Sequence, residues 1–295
     1  MVKHFVEIDD LNIADLNEIL NRSEVTDLEQ VLKGKSVAIL FEKPSSRTRH
    51  SMENAIVQLG GNSIYIRPEE TGIDERESAE DVARTLGLYN AAIAARVFSH
   101  SKLVRMASAS KVPIINLLSD ETHPIQTLAD LLTMKQIFNN IEKINISYIG
   151  DPNNVSRPLA IALNMFGNTL NLSHPKGYDF HERDLIKFKS SGIKVNVIDD
   201  PKAAAKNADV IYSDAWYSMG QEDQKVQRVR DFKEFQINSE LMGLANDNAV
   251  FMHCLPAHRG LEVTDDVLDG PQSVVWKQAE NRMHTARGLL SYLCG

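Results

Sequence analysis

Short apolar, β-rich runs alternate with helical patterns along almost the entire chain. In the first half, the predicted strands cover residues 35–41, 63–67, 91–97 and 112–118. In the second half, they cover residues 144–149, 169–173, 195–198, 210–213 and 250–253. Strands that alternate with helices form parallel sheets covered on both faces, and such sheets bind ligands at the carboxyl ends of their strands. The pattern predicts an α/β fold of two lobes, each a doubly wound parallel sheet flanked by helices.

Helical periodicity fills the segments between these strands. Predicted helices cover residues 11–20, 79–88, 102–108, 159–166 and 184–190, and a longer helix runs from Pro124 to about Phe138 as a connector. The amphipathic segment 277–293 is expected to return to the first lobe. We therefore predict one domain formed by residues 1–135 and 277–295, and a second formed by residues 136–276. The charged stretch 221–233 is predicted to be a mobile loop that closes over the site.

Size and composition exclude several classes of protein. A chain of 295 residues exceeds one compact core, which agrees with two lobes. The net charge of −8 argues against nucleic acid as a partner, and no apolar run is long enough to span a bilayer. The N-terminus lacks the apolar core of a signal peptide, so a cytoplasmic location is expected. The two cysteines, Cys254 and Cys294, form neither a disulfide framework nor a zinc motif.

A turn after the first predicted strand concentrates hydroxyl and guanidinium groups. From Pro44 it reads Pro-Ser-Ser-Arg-Thr-Arg, and a helix with Met52, Ile56 and Leu59 at helical spacing follows. Backbone N–H groups at a helix start attract anions, and arginine binds phosphate through two hydrogen bonds. A serine helix cap beside two solvated arginines is the simpler alternative. Because five of these six residues are polar or basic, we prefer the interpretation that residues 45–49 form a phosphate site.

Further polar residues follow other predicted strands. Arg96 ends one strand, where it either pairs with a buried carboxylate or binds an anion. His123 and Gln126 lie three residues apart at the start of the connector helix and share one face. A helix-capping histidine is the alternative, but beside an anion site both groups can donate to a carbonyl oxygen on which negative charge develops. Arg282, near the start of the last helix, is a candidate third cation for the phosphate.

The second half places a different set of side chains after its strands. Residues 150–154, Gly-Asp-Pro-Asn-Asn, lack the G-x-G-x-x-G of a dinucleotide site, which weakens an oxidoreductase interpretation. Their amides form either an Asx turn or a contact for an amino acid. Asp214 can bind an ammonium group, and Ser218 and Met219 follow it closely. Cys254 follows another strand, where burial as a small side chain is a commoner role for a free cysteine than nucleophilic attack.

With these motifs, the chain resembles the aspartate/ornithine carbamoyltransferase family over nearly its whole length. The resemblance implies that one lobe binds carbamoyl phosphate and that the other binds the amine acceptor. The implied carbamoyl-phosphate site comprises Ser45, Ser46, Arg47, Thr48, Arg96, His123, Gln126, Cys254, Leu255 and Arg282.

Three features of the second lobe resemble family members that use ornithine. Residues 214–220 resemble their amino-acid-binding loop, residues 253–256 (His-Cys-Leu-Pro) resemble the motif at the δ-amine, and Asn154 matches a residue at the α-amino acid end. An enzyme for aspartate is expected to present cations to the second carboxylate, whereas this region offers Asp214 and a thiol. The implied ornithine site is Leu118, Asn154, Asp214, Ser218 and Met219, and the implied catalytic residues are Arg96, His123, Asp214 and Cys254.

Two stretches depart from the family pattern. Ornithine-type members commonly carry a glutamine, donated to a neighbouring subunit's site, in the loop that here reads Glu-Thr-Gly-Ile-Asp over residues 70–74. After Asn154 the chain reads Val-Ser-Arg-Pro, where small or polar residues are more usual. The sequence leaves open a contact of Arg157 with a substrate carboxylate, and with it a modified acceptor specificity.

The resemblance implies direct transfer of the carbamoyl group from carbamoyl phosphate to the δ-amine of L-ornithine, giving L-citrulline and phosphate in arginine metabolism. Neither a cofactor nor a metal is expected. A homotrimer or a multiple of trimers is implied, without a nucleic-acid or membrane partner. The alternatives are a carbamoyltransferase for aspartate, putrescine or N-acylornithine, a non-catalytic anion-binding regulator of the same fold, and, third, a dehydrogenase.

Overall fold

The computed structural model describes residues 2–217 and 222–295. It separates into two compact units. The first comprises the chain up to Leu132 together with Glu280–Gly295, and the second comprises Thr133–Ala279. Each unit is built on one parallel sheet flanked by helices, which confirms the predicted fold class. None of the described helices combines the length and the apolar character needed to cross a membrane.

The elements follow one another in nearly strict alternation. The strands of the described residues are β1 (Ser36–Phe41), β2 (Asn62–Ile66), β3 (Ala92–Arg96), β4 (Ile114–Leu118), β5 (Ile146–Ile149), β6 (Leu170–Ser173), β7 (Val195–Val197), β8 (Val210–Ser213) and β9 (Val250–His253). The helices are α1 (Ile13–Glu24), α2 (Ser46–Gln58), α3 (Pro68–Thr71), α4 (Ala79–Tyr89), α5 (His100–Ala109), α6 (Pro124–Phe138), α7 (Ser156–Met165), α8 (Glu182–Ser191), α9 (Pro201–Ala205), α10 (Lys225–Asp231), α11 (Ser239–Met242), α12 (Asp265–Leu268) and α13 (Val275–Cys294). Short 3-10 helices cover Ile8–Asp10, Ile141–Lys143, Glu222–Gln224 and Lys233–Phe235.

The sheet of the first unit has the order β2-β1-β3-β4, with each pair parallel. β1 and β3 lie in the middle and are buried along nearly their whole length, as expected for apolar strands of a parallel sheet. The pairing of β1 with β3 places Phe41 opposite Arg96, and the pairing of β3 with β4 places Arg96 opposite Leu118. The carboxyl ends of these three strands therefore meet at one edge of the sheet, where the segments leading to α2, α5 and α6 begin.

The sheet of the second unit has the order β7-β6-β5-β8-β9, also parallel throughout. Tyr148 lies opposite Tyr212, and Ser213 lies opposite His253. The strand ends that precede residues 150–154, 214–217 and 254–256 are thereby aligned. Because ligands bind at such edges in open α/β sheets, these three segments are the natural place for a site in this unit.

The carboxyl-terminal part of α13 packs closely against α1 in the first unit. Arg22 Nη1 donates to the Ser291 carbonyl oxygen at 2.9 Å, and Arg287 Nη2 donates to the Val25 carbonyl oxygen at 2.7 Å. A Cβ atom at Gly288 would lie 2.7 Å from the Ile19 carbonyl oxygen. Glycine is therefore required where the two helices approach each other most closely.

The structure corrects the predicted loop over residues 221–233. Lys225–Asp231 forms α10, and the Phe232 ring that follows stacks on Trp216 with centroids 5.9 Å apart in the core of the second unit. Gln221 lies outside the described residues. A seven-residue, charged helix contains too few apolar positions for its periodicity to be recognised, so the sequence pattern indicated a loop. The other short helices, α3, α9, α11 and α12, were missed for the same reason.

Candidate active site

The start of α2 presents a helix turn without a side-chain cap at the edge of the first sheet. Ser45 is the N-cap residue in extended backbone, but its Oγ bonds to Thr48 Oγ1 at 3.1 Å instead of capping an N–H group. Ser46 and Arg47 are exposed, whereas Thr48 is buried. The first N–H groups of a helix and its dipole favour a negative ligand. The turn therefore has the geometry of the predicted phosphate site.

Arg49, on the same turn, has other partners. Its Nε lies 2.9 Å from Glu53 Oε1, and its guanidinium carbon lies 3.8 Å from the centre of the Tyr65 ring. A guanidinium stacked on an aromatic ring and paired with a carboxylate is held on the side of the helix. Of the two arginines within residues 45–49, Arg47 is therefore the better candidate for the anion.

Arg282 links α13 to two other helices of the first unit. Its Nη1 donates to Gln126 Oε1 at 2.6 Å, and its Nη2 donates to Thr48 Oγ1 at 3.1 Å. Gln126 Nε2 in turn donates to Asp130 Oδ1 at 2.8 Å, one turn further along α6. All four side chains are buried. The network fixes a guanidinium beside the start of α2, and Asp130, which the sequence analysis missed, orients the Gln126 amide.

His123 is buried in the same unit, near two cations. Burial lowers the pKa of His123 well below its usual value, and the positive charges of Arg282 and Arg96 lower this pKa further. The imidazole is therefore neutral at neutral pH, with one ring nitrogen carrying a proton. A neutral imidazole can donate this proton in a hydrogen bond to an oxygen on which charge develops.

Leu118 is the last residue of β4. Its carbonyl oxygen accepts a hydrogen bond from Val97 N at 3.0 Å. A carbonyl oxygen has a second lone pair, so this sheet bond is compatible with a further contact to a ligand. Arg96, which lies opposite Leu118 in the sheet, is 6% exposed, so its charge is held largely away from water.

In the second unit, the Asp214 carboxylate is held where three strands end. Its Oδ2 accepts from Asn153 Nδ2 at 2.8 Å, and its Oδ1 accepts from Cys254 Sγ at 3.0 Å and from Ala215 N at 2.8 Å. Asp214 follows β8, Asn153 follows β5 and Cys254 follows β9. A carboxylate oriented in this way suits a cationic or amine ligand. Because the thiol donates to this carboxylate, the arrangement favours orienting a ligand over nucleophilic attack.

The two neighbouring asparagines have different environments. Asn153 Oδ1 accepts from Val155 N at 2.9 Å and from Ser156 N at 3.2 Å, so Asn153 closes the turn between β5 and α7. Asn154, the residue predicted to bind the amino acid, is partly exposed. Asn153, which contacts Asp214, was not among the residues predicted from the sequence. The adjacent Asn-Asn pair was the available signal.

A buried pair supports the turn that carries Cys254. Leu255 N donates to His253 Nδ1 at 2.8 Å, which places the ring proton of neutral His253 on Nε2. That nitrogen lies 3.4 Å from Glu262 Oε1, and neither side chain is exposed to solvent. Leu255 itself has a φ of 59°, a conformation that a residue other than glycine adopts at a cost of about 1–3 kcal/mol. Glu262, which sequence reasoning missed, is thus part of the support for this turn.

Arg157 is buried and paired within its own unit. Its Nε lies 2.6 Å from Asp184 Oδ1, and the two side chains are 5% and 8% exposed. A buried guanidinium needs such a partner. The hypothesis that Arg157 contacts a substrate carboxylate is therefore not supported, and the unusual residue has a structural role instead.

Asp151 and Arg228 form a second buried pair, with Arg228 Nη1 3.0 Å from Asp151 Oδ1. Burial raises the pKa of Asp151 to about 6, although Arg228 partly offsets this effect. Arg228 Nη1 also donates to the Trp216 carbonyl oxygen at 3.0 Å. The pair therefore ties α10 and residue 216 to the end of β5. Ser218 and Met219, both predicted to bind the amino acid, lie outside the described residues.

The loop over residues 70–74, where a glutamine was expected, makes contacts within the first unit. Glu70 Oε2 accepts from Arg67 N at 2.6 Å, and Asp74 Oδ2 lies 2.9 Å from Arg105 Nη1. These acidic groups stabilise the short α3 region and its junction with α5.

Two groups of side chains have the chemistry of metal ligands. Asp214, His253 and Cys254 each offer one ligand atom, and these atoms lie within 4.8 Å of one another. Glu7, His100 and Glu121 form the second group, and their ligand atoms also lie within 4.8 Å of one another. The first group coincides with the predicted amine site, whereas the second lies in the other unit.

Residues 3–136 match the family description "Aspartate/ornithine carbamoyltransferase, carbamoyl-P binding domain", and residues 142–293 match "Aspartate/ornithine carbamoyltransferase, Asp/Orn binding domain". The chain belongs to the aspartate/ornithine carbamoyltransferase family. The ornithine carbamoyltransferase of Haloquadratum walsbyi is 43% identical over 97% of this chain and 96% of its own length. That of Hyperthermus butylicus is 46% identical, covering 89% and 85% of the two chains. The solved structure of ornithine carbamoyltransferase from Pyrococcus furiosus matches with a TM-score of 0.91 and 39% identity, covering 98% of this chain and 96% of that one.

Proposed function

We propose that this member of the family transfers the carbamoyl group of carbamoyl phosphate to the δ-amine of L-ornithine, which yields L-citrulline and phosphate. The observation that carries the choice of acceptor is the Asp214 carboxylate, held by Asn153 and the Cys254 thiol at the strand ends of the second unit. Such a group suits an aliphatic amine and opposes the second carboxylate of aspartate, because like charges repel.

We assign carbamoyl phosphate to the first unit and ornithine to the second. The start of α2 and the Arg282 guanidinium support the phosphate assignment, since both favour the charge of the departing group. Neutral His123 and the buried cation Arg96 would stabilise negative charge on the carbonyl oxygen. The proposed phosphate ligands are Ser45, Ser46, Arg47, Thr48 and Arg282, and Arg96, His123, Gln126, Cys254 and Leu255 would contact the carbamoyl group.

The proposed reaction is a direct displacement. The neutral δ-amine attacks the carbonyl carbon, a C–N bond forms and a tetrahedral species carries the negative charge. The bond from carbon to the phosphate oxygen then breaks, phosphate leaves with the electron pair, and the nitrogen loses a proton. Since a free alkylamine with a pKa near ~10 is mostly charged at neutral pH, the site must favour its neutral form or accept its proton. Asp214 and Cys254 are the proposed groups that orient the amine.

The remaining part of the ornithine site rests on the match to the family motifs. Asn154, Ser218 and Met219, with the Leu118 carbonyl group, are the proposed contacts for the α-amino acid end. The partly exposed position of Asn154 after β5 supports its inclusion.

We further propose that the protein assembles as a homotrimer or a multiple of trimers, resides in the cytoplasm and needs no cofactor. Exposed large apolar side chains on the first unit support an interface there: Leu88 is 77% exposed, Tyr89 is 71% exposed and Phe98 is 58% exposed. Sedimentation equilibrium measures the mass of the assembly directly. A monomer at micromolar concentration would contradict this proposal.

Arg47 and Arg49 provide a matched test of the phosphate assignment. Arg47→Gln is expected to lower kcat/KM for carbamoyl phosphate by at least about 100-fold, because a charge-assisted contact to the departing group is lost. Arg49→Gln is the control on the same turn, since its guanidinium is held by Glu53 and Tyr65. Near-normal turnover of Arg47→Gln, or equal losses in both variants, would contradict the assignment.

A further inference from the structure

A second set of chemically reactive side chains lies in the first unit, outside the proposed phosphate site. Glu7, His100 and Glu121 each offer one ligand atom, and all three atoms lie within 4.8 Å of one another. The three residues are far apart in sequence. Glu7 precedes the 3-10 helix Ile8–Asp10, His100 begins α5, and Glu121 lies between β4 and α6.

The separation between His100 and Glu7 fits a shared ion better than a hydrogen bond. His100 Nε2 lies 3.5 Å from Glu7 Oε1. This distance exceeds the usual limit for a hydrogen bond between nitrogen and oxygen. In a tetrahedral zinc site with ligand bonds of about 2.1 Å, neighbouring ligand atoms lie about 3.4 Å apart. The observed separation matches that of two ligands around one small cation, and it also lies within the range of a His–carboxylate ion pair.

The hydrogen bonds of His100 favour a lone pair on Nε2. His100 Nδ1 lies 2.9 Å from Ser119 Oγ, and Ser119 Oγ also donates to the Thr122 carbonyl oxygen at 3.3 Å. When the hydroxyl proton goes to the carbonyl, His100 Nδ1 is the donor to Ser119 Oγ and Nε2 carries the lone pair. A metal-binding histidine is typically oriented in this way, with its other ring nitrogen donating to a fixed acceptor.

The backbone around these side chains is also fixed. His100 N donates to Asp120 Oδ1 at 2.7 Å, and Ser119 N donates to the Thr122 carbonyl oxygen at 3.0 Å. Glu7 N donates to Asp10 Oδ2 at 2.9 Å. His100 is 6% exposed. The ligand atoms are therefore held by rigid segments, which lowers the conformational cost of binding an ion.

We propose that Glu7, His100 and Glu121 form a binding site for a divalent transition-metal ion of the zinc type. Two carboxylates and one imidazole supply three protein ligands, and water completes a tetrahedral shell. The imidazole selects against Mg²⁺ and Ca²⁺, which prefer all-oxygen sites. The two carboxylate charges are offset by the ion. A bound ion would join the segments that follow Arg96 and precede His123, because His100 and Glu121 lie on those segments.

The competing explanation for the cluster is an imidazolium that pairs with both carboxylates. In that arrangement, His100 carries protons on both nitrogens and no metal binds. The two explanations differ in a direct binding measurement. Metal binding requires the neutral ring, so the affinity for the metal should fall as pH decreases. If His100 is an imidazolium paired with the carboxylates, no metal binding is expected.

Cobalt(II) titration of the chelator-treated full-length protein provides the test, with visible absorption as the readout. Tetrahedral cobalt absorbs strongly in the visible range, and thiolate ligation adds a separate near-ultraviolet band. We expect one equivalent of Co²⁺ to bind without the thiolate band, to be displaced by Zn²⁺, and to persist in Cys254→Ala, which removes the thiol of the other metal-ligand group.

Glu7→Gln, His100→Gln and Glu121→Gln are each expected to weaken Co²⁺ binding by at least about tenfold. His284→Gln is the matched control, because it removes a histidine outside the cluster, whose Nε2 lies 3.7 Å from Glu280 Oε1. Circular dichroism of the metal-free variants checks folding, and the melting temperature of the wild type must rise with Zn²⁺ and fall again with chelator. Absence of Co²⁺ binding by the wild type would overturn the proposal. So would binding that only Cys254→Ala abolishes, or binding that survives both glutamate substitutions.

Discussion

Arg282 Nη1 donates to Gln126 Oε1 at 2.6 Å, although the two residues are 156 positions apart in sequence. The same guanidinium donates through Nη2 to Thr48 Oγ1, so one planar side chain holds the starts of α2 and α6 in register. Arginine presents donors in a fixed planar fork, whereas a lysine ammonium is a compact point charge without this geometry. The proposed phosphate site depends on this fork.

Arg282→Lys is expected to lower kcat/KM for carbamoyl phosphate by about 100-fold while the protein stays folded. Initial-rate kinetics with varied carbamoyl phosphate measure the change. Arg287→Lys is the control on the same helix, because Arg287 contacts Gln58 and the Val25 carbonyl oxygen and takes no part in the proposed site. The control is expected to lower the melting temperature only. A comparable kinetic loss in both variants would argue that Arg282 acts through the fold.

His123 is expected to remain neutral at pH 6, where an ordinary histidine with a pKa of about 6.5 is mostly protonated. Nitrogen-15 NMR of the ring reports the protonation state. Because folding lowers the pKa of His123, its neutral form stabilises the fold above about pH 6.5, and this contribution is lost as pH falls. The free energy of unfolding of the wild type, relative to that of His123→Gln, should therefore be higher at pH 7.5 than at pH 5.5. A fully protonated ring at pH 6 would contradict the proposed hydrogen-bond role.

Asp214→Asn is expected to lower kcat/KM for ornithine by at least about 100-fold. The substitution removes the charge that faces the amine without changing the shape of the side chain. Binding of carbamoyl phosphate, measured by calorimetry, should change by less than about threefold. Cys254→Ser keeps a donor to Asp214 and is expected to cost about tenfold. If Asp214→Asn weakened carbamoyl phosphate binding as strongly as ornithine use, the separation of the two assigned sites would be wrong.

The carboxyl group of Asp151 is expected to titrate near pH 6, as its burial indicates. Since folding raises this pKa, the protonated acid stabilises the fold, and that contribution is lost as pH rises through about 6. Arg228→Met should raise the pKa of Asp151 further, because the cation that lowers it is removed. Arg230→Met, an exposed neighbour paired with Asp231, is the control and should leave this pKa unchanged. Carbon-13 NMR of the carboxyl group provides the measurement, and a normal aspartate pKa in the wild type would refute the expectation.

Arg157→Met is expected to destabilise the protein by about 3–5 kcal/mol, because the buried Asp184 carboxylate would lose its nearer counter-ion and keep only the exposed Arg183 at 3.9 Å. Urea unfolding measures this loss. The preference of the residual activity for ornithine over other amines should not change. Arg183→Met, an exposed control 3.9 Å from the same carboxylate, should cost less than about 1 kcal/mol. A shift in acceptor preference with little loss of stability would restore Arg157 as a specificity residue.

The sequence predicted the strands well because buried parallel strands are short, continuous apolar runs. Val210–Ser213 and Val250–His253 were predicted at their observed bounds, and the other strands differ by one or two residues at one or both ends. The short α10 was missed because seven residues of mixed charge contain no clear period. Its position is determined by tertiary contacts, namely the Arg228–Asp151 pair and the stacking of Phe232 on Trp216.

The candidate site was predictable to the extent that its residues follow strands. Arg96 and His123 lie at or after strand ends of the first sheet, and Asp214 and Cys254 follow strand ends of the second. Within each parallel sheet, such strand ends meet at one edge. Asp130 and Glu262 were not predictable, because they contact the site through packing that no local pattern encodes, whereas the Asn-Asn pair was a local signal for Asn153. Arg157 shows the converse case, in which an unusual residue in a site motif proved to be half of a buried ion pair.

The central claim concerns the acceptor, and an acceptor panel tests it most directly. The purified protein is incubated with carbamoyl phosphate and, separately, L-ornithine, L-aspartate, putrescine and N-acetylornithine, and the ureido product and phosphate are both quantified. The account predicts citrulline and phosphate in equal amounts from ornithine, with kcat/KM at least about 100-fold above that of any other amine. A higher kcat/KM with another acceptor, or binding of carbamoyl phosphate without any ureido product, would contradict it.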